Sequence, residues 1–196
     1  MNKEIWMKKI RYINNLKDEE LKHHKFSFYL GSILPDIKPS FLYKRHEMDG
    51  TFPYVSRHIR RLSEGDALIR KKKGCKYYRD LGQISHYLAD YFTFPHNKTL
   101  DGTLRQHNSY EKHLKNELKA FVQEGKAEAY AEHVIHFETL NQLLEYIKVH
   151  HRRYMNCKRS VEEDIHYILS VCYQVFQGLF QLCMKDPMAE YATAVM

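Results

Sequence analysis

Apolar side chains recur at helical spacing along almost the whole chain. The clearest run covers residues 161–184, where Val161, Ile165, Ile168, Cys172, Val175, Leu179 and Leu182 fall on one stripe. The same pattern predicts a first helix over 3–16 and a second over 18–34, stopped by Pro35. Residues 37–52 read as an irregular loop punctuated by Pro39 and Gly50. A third helix is expected from Pro53, suited to a first helical turn, to about residue 72. The fourth, about 76–92, is apolar nearly all round and should therefore be central and buried. A loop with Pro95 and Gly102 separates it from a fifth helix at about 104–124, and residues 127–151 supply one or two more. Short β-branched runs such as Val-Ile-His-Phe at 134–137 sit inside helical patterns, so no strand is expected. Long helices and few turn residues define the prediction: an all-α, single-domain, multi-helix bundle over residues 1–196.

Composition narrows this picture. A hydrophobic fraction of 43% describes a globular chain, not a disordered one. The net charge of +7 favours anionic partners such as phosphate esters, anionic lipid headgroups or nucleic acid, although it also serves plain solubility. The four cysteines form no CxxC pair, and the opening residues hold no uninterrupted apolar stretch of a signal peptide; both suggest reduced thiols in a cytoplasmic protein. No apolar run approaches the roughly 20 residues of a membrane span. Thirteen histidines are the compositional anomaly, and histidine is the commonest metal ligand.

The histidines gather with carboxylates. In GQISHYLADYFTFPHN, residues 82–97, His86 and Asp90 stand at i and i+4 on one face of the apolar helix. A buried carboxylate needs a partner, and either a metal ion or a simple His–Asp hydrogen bond would supply one. His96 follows in a Pro-His-Asn turn that can aim it inward. In HNSYE, His107 and Glu111 repeat the i, i+4 spacing on a stripe with Leu104, Leu114, Leu118 and Phe121. His113 and Glu117 share that spacing but start about 240° round the helix, facing solvent, so the first pair is preferred. Asp36, just past Pro35, reads either as a metal ligand or general base or as an ordinary turn aspartate. His46 lies ten residues on, in KRHEMDGTFP. These four candidate histidines and three candidate carboxylates all fall within the first 111 residues. Such a set, free of cysteine, suits hydrolytic zinc with an open position for water; iron or manganese would accept it too.

At these residues the chain resembles the zinc-dependent phospholipase C family, related to the P1 nucleases. The resemblance runs over about residues 1–120 and rests on HYLAD followed by PHN, and on HNSYE. It implies a bundle of the phospholipase C/P1 nuclease type. It implies one zinc on His46, His86 and Asp90, with His58 a rival to His46, and a second on His96, His107 and Glu111. Asp36 would orient or deprotonate the attacking water. The family holds a third zinc with a first-helix histidine and the N-terminal amine, whereas EIWMKKIRYI contains no histidine. Two zinc ions are therefore implied, with a third only if another group replaces that histidine.

The implied activity is zinc-dependent hydrolysis of a phosphodiester, with a phospholipid as substrate and transient contact with a membrane surface. Lys44, Arg45 and nearby tyrosines are candidates for anion contact, and Phe41, Leu42, Tyr43 and Phe52 for an apolar wall or for plain core packing. A nuclease on the same site, with nucleic acid as the less favoured partner, and a metal-binding relative without turnover are the alternatives.

Overall fold

The structure, a computed structural model, describes residues 19–37, 47–64, 74–97 and 104–184. Seven α-helices are found among them: α1 Glu19–His23, α2 Lys25–Ile37, α3 Met48–Ser63, α4 Gly74–Tyr91, α5 Leu104–Gln123, α6 Leu140–Asn156 and α7 Val161–Met184. Two 3-10 turns, Phe94–His96 and Lys126–Ala131, follow α4 and α5, and no strand occurs among the described residues. The all-α expectation holds. The expected first helix at 3–16 lies outside the described residues.

Helix α4 occupies the centre, as expected, and fourteen of its residues are buried, Asp80, Gln83 and Ser85 among them. It packs against α2, α3 and α7, while α7 also carries α5 and α6. Phe28, Ile59, Tyr78, Leu81, Leu88, Phe92 and Phe176 are among the fully buried side chains of the shared core.

Helices α2 and α4 come closest, and two glycines make this possible. A Cβ on Gly31 would overlap the Arg79 carbonyl, and one on Gly82 would overlap the Phe28 carbonyl and the Ser32 nitrogen. Each helix thus presses a bare backbone against the other, so that the end of α2 lies beside the last two turns of α4.

Four expectations about element limits need correction. The predicted helix over 18–34 is broken at His24, whose ring stacks on Tyr78 with centroids 5.0 Å apart. Its second part runs through Pro35 to Ile37, because a proline in a last turn removes only one intrahelical hydrogen bond. Helix α3 starts at Met48, ahead of Pro53: Met48 is buried, and Thr51 donates to the Glu47 carbonyl (2.8 Å) and pairs with the Tyr91 hydroxyl (2.8 Å). It ends at Ser63, short of the expected 72; residues 65–73 are outside the described set. Phe52 is consequently a helical residue packed on the core, not part of a loop wall.

Val134–Phe137 is not helical. It runs extended along α7, where Gln174 accepts from the Ile135 amide (2.8 Å) and donates to the His133 carbonyl, and Gln181 accepts from the Phe137 amide (3.2 Å) and donates to the Ile135 carbonyl (3.2 Å). Two glutamine side chains seven residues apart replace the backbone partners that a helix would have given. Helix α6 then opens with a capping box of Thr139 and Gln142.

Gly82→Ala should lower stability by about 3 kcal/mol, since backbone cannot yield to the added methyl. That corresponds to a fall in Tm of about 6–12 °C for a domain of this size. The same change at Gly50, whose Cβ would meet nothing within 4 Å, should gain about half a kcal/mol from helix propensity. Calorimetry of both variants checks the pair, and equal Tm values would contradict the steric account.

Candidate metal centre

The approach of α2 to α4 assembles the first half of a polar cluster. His86 is fully buried, and its Nδ1 lies 2.9 Å from the Ser32 carbonyl of α2. A carbonyl only accepts, so Nδ1 donates to it and Nε2 is the ring nitrogen turned toward the cluster. That Nε2 stands 3.0 Å from Asp90 Oδ2, one helical turn on, and 3.4 Å from Asp36 Oδ1 at the end of α2. Three atoms of ligand type converge there.

The second half comes from the 3-10 turn and α5. The chain leaves α4 through Thr93, whose hydroxyl donates to the Ala89 carbonyl (2.8 Å), and the Asn97 side-chain amide donates to the Tyr91 (3.2 Å) and Thr93 (3.0 Å) carbonyls. These bonds satisfy the open carbonyls at the helix end and fix the turn. They give the Pro-His-Asn motif a division of labour: Asn97 locks the exit, and His96 points back to the cluster. His96 Nε2 lies 3.0 Å from Glu111 Oε1 and 3.9 Å from Asp90 Oδ1. His107 Nε2 meets the same Glu111 oxygen at 3.1 Å, and the two imidazoles sit edge to face with centroids 5.1 Å apart. Ligand atoms of His96, His107 and Glu111 all lie within 4.8 Å of one another.

Asp90 joins the halves: one oxygen faces His86 and the other faces His96. The structure therefore brings Asp36, His86, Asp90, His96, His107 and Glu111 into one cluster. His46 lies outside the described residues. The rivals are placed elsewhere. His58 pairs with Arg61 (3.0 Å) on α3, and Arg61 in turn binds Asp80 (2.7 Å). His113 and Glu117 face solvent at 3.8 Å, as their helical phase predicts.

The electrostatics favour a positive charge in the cluster. Burial works against charge on His96, but the Asp90, Glu111 and Asp36 carboxylates outweigh it and push the imidazole up to about 9. Burial likewise raises Glu111, yet His96 and His107 pull its carboxyl below the usual range. Beside them, burial together with Tyr54, Asp90 and Asp36 pushes Tyr87 up to about 12, so it remains a hydroxyl donor at neutral pH. Without a metal ion, a proton on His96 is what balances the carboxylates around it. Metal binding displaces such protons.

The donor set fits zinc. Ligand atoms about 2.1 Å from a tetrahedral ion lie roughly 3.4 Å from one another, and the spacings here are 3.0–3.9 Å. His86 also has the carbonyl partner that metal-bound histidines regularly show on their second nitrogen. Burial is deepest at His86 and Asp90, while Asp36, Glu111 and His107 are 21%, 17% and 26% exposed, so the cluster is partly open to solvent. The sequence alone did not identify the Ser32 carbonyl, because backbone acceptors leave no residue-type signal.

The family model for zinc dependent phospholipase C matches residues 7–161. The chain belongs to that family. The match reaches about forty residues beyond the 120 over which the motifs alone suggested resemblance. No curated protein and no solved structure matches the chain. Membership makes zinc the expected metal and a hydrolase the expected class. Among the described residues no helix is long and apolar enough to cross a membrane.

A His86→Ala, His107→Ala double variant should lose tightly bound zinc, read by elemental analysis after gel filtration, whereas His58→Ala and His113→Ala should retain it. Unchanged zinc in the double variant would contradict the assignment of the cluster.

Proposed function

We propose that the chain is a zinc-dependent phosphodiester hydrolase acting on a phospholipid, with His86 and Asp90 contributing to one zinc and His96, His107 and Glu111 to a second. His46 is proposed as the remaining ligand of the first, on the family resemblance alone. The observation that carries the reading is Asp90, whose two oxygens face two separate histidine groups. A carboxylate so placed serves a pair of ions better than a single one.

Bound zinc would polarise the phosphoryl oxygens and acidify a water molecule near neutral pH. The chain's own groups do the rest. Ser32 keeps the His86 proton on Nδ1 and so keeps Nε2 available. Asp36, the more exposed carboxylate on the His86 side, is the proposed base that orients the attacking water and takes its proton. The exposed side at Asp36 and His107 gives substrate its approach. A phospholipid substrate implies transient contact with a membrane surface, and the net charge of +7 favours an anionic one.

As purified, the protein should hold at least two zinc ions per chain and release diacylglycerol from phosphatidylcholine vesicles. Asp36→Asn should retain zinc and lose about a hundred- to ten-thousandfold in turnover. Cleavage of single-stranded DNA with none of phosphatidylcholine would replace the phospholipid by a nucleic acid. Zinc without hydrolysis of either would make the chain a metal-binding relative without turnover.

A further inference from the structure

Asp164 stands in the first turn of α7, three residues past the end of the family match, and is only 1% exposed. No lysine or arginine among the described residues forms an ion pair with it. A carboxylate so placed is costly unless its oxygens are met by donors. Here three donors meet it: the Phe94 amide at 3.1 Å and the Tyr110 hydroxyl at 3.0 Å on Oδ2, and the Tyr154 hydroxyl at 2.7 Å on Oδ1. Its position in the first turn of a helix adds a favourable dipole. Burial outweighs the Tyr154, Phe94 and Tyr110 donors and the His96 charge, which lower it, and leaves the carboxyl raised to about 6. At neutral pH it is ionised, and both oxygens accept.

The identity of the donors matters more than their number. Phe94 opens the 3-10 turn that carries His96. Tyr110 directly precedes Glu111 and follows His107 by three residues on α5. Both bind the same oxygen, and their rings pack edge to face with centroids 5.9 Å apart. One carboxylate thus clamps the turn holding one imidazole to the helix holding the other imidazole and the glutamate. Tyr154 ties the clamp to α6. Neither the exit bonds of Asn97 nor the i, i+4 spacing on α5 fixes the distance between these two elements.

We propose that Asp164 is a positioning residue for the metal centre: by holding Phe94 and Tyr110 together, it sets the separation of His96 from His107 and Glu111. This rests on the zinc reading above. A purely structural role would cost stability without affecting the cluster selectively. Outer partners of metal ligands typically change affinity ten- to a hundredfold when removed, and that is the expected loss for Asp164→Asn.

The test uses the full-length protein well below its melting temperature. Zinc affinity is measured by competition with a chromophoric chelator, and hydrogen exchange of the segment around residues 94–97 is followed in the metal-free protein. Asp164→Asn should weaken zinc ten- to a hundredfold and speed exchange in that segment, and Tyr110→Phe should do both to a smaller extent. Gln174→Ala is the control: it lies on the same helix and removes two bonds to the extended segment at 133–137, far from the turn in sequence. It should lower Tm while leaving zinc affinity and exchange at 94–97 unchanged. Asp164→Asn with zinc affinity within twofold of the parent, or equal weakening in Gln174→Ala, overturns the proposal and leaves the zinc reading intact. A parent protein that binds no zinc sinks the zinc reading and this role with it. Where Asp164→Asn fails to fold, Tyr110→Phe decides: unchanged affinity and exchange count against the proposal.

Discussion

The metal cluster depends on how closely two backbones can approach. Helices normally keep 8–10 Å between axes because side chains intervene. At Gly31 and Gly82 no side chain intervenes, and the carbonyls of Phe28 and Arg79 occupy the space where a Cβ would stand. This contact lets a carbonyl of α2 reach His86 in the middle of α4, and lets Asp36 reach the same imidazole from the helix end. A wider spacing would leave His86 with an unsatisfied buried N–H and Asp36 with no part in the cluster. The glycine pair therefore acts on chemistry through geometry: small residues, then close packing, then a fixed tautomer, then an available ligand atom.

A second consequence concerns charge. Burying His86 and Asp90 in the central helix opposes folding unless their partners are in place. The cluster supplies these across three elements, α2, the turn after α4, and α5. Its pairs between elements, His86 with Asp36 and His96 with Glu111, make those elements mutually dependent. Three carboxylates face three imidazoles within it, so the folded chain favours a cation there. A divalent ion satisfies the carboxylates and imidazoles together, and this couples metal binding to the packing of the bundle.

How much of this was legible in the sequence depends on the kind of signal each feature leaves. Helical spacing put His86 on the face of Asp90 and His107 on the face of Glu111, and sent His113 and Glu117 to solvent, because those relations are fixed within one helix. The long helices α4, α5 and α7 were legible within two residues at each end from apolar periodicity. The limits of α2 and α3 were not. Pro35 and Pro53 look like punctuation, yet each sits where the packing of α2 on α4, or the Thr51–Tyr91 contact, sustains a helix through it. Val134–Phe137 misled for a related reason. Its apolar pattern suits a helix, but two glutamines on α7 offer its backbone a better set of partners, and that pairing is visible only in three dimensions. Asp164 was hidden by its neighbours: among Glu162, Glu163 and Asp164 it reads as one of three acids in a helix first turn.

That last case bears on how the family's chemistry is distributed along this chain. The motif-bearing segments and the family match end by residue 161, and every ligand candidate lies before residue 112. Yet a ligand set is only as good as the spacing between its members, and spacing is set by whatever the ligand-bearing elements rest on. Here the 3-10 turn and α5 both rest on α7. Helix α7 contributes no ligand, reads in sequence as scaffold, and is scaffold over most of its length. Its first turn is different: a carboxylate there receives the amide of the turn and the hydroxyl beside Glu111 on a single oxygen. Residue types that coordinate metal are recognisable by identity and local spacing. Residues that hold such groups at the right distance need only a donor or an acceptor and a rigid mount, so they leave little trace in a motif and fall readily outside the stretch a family resemblance covers.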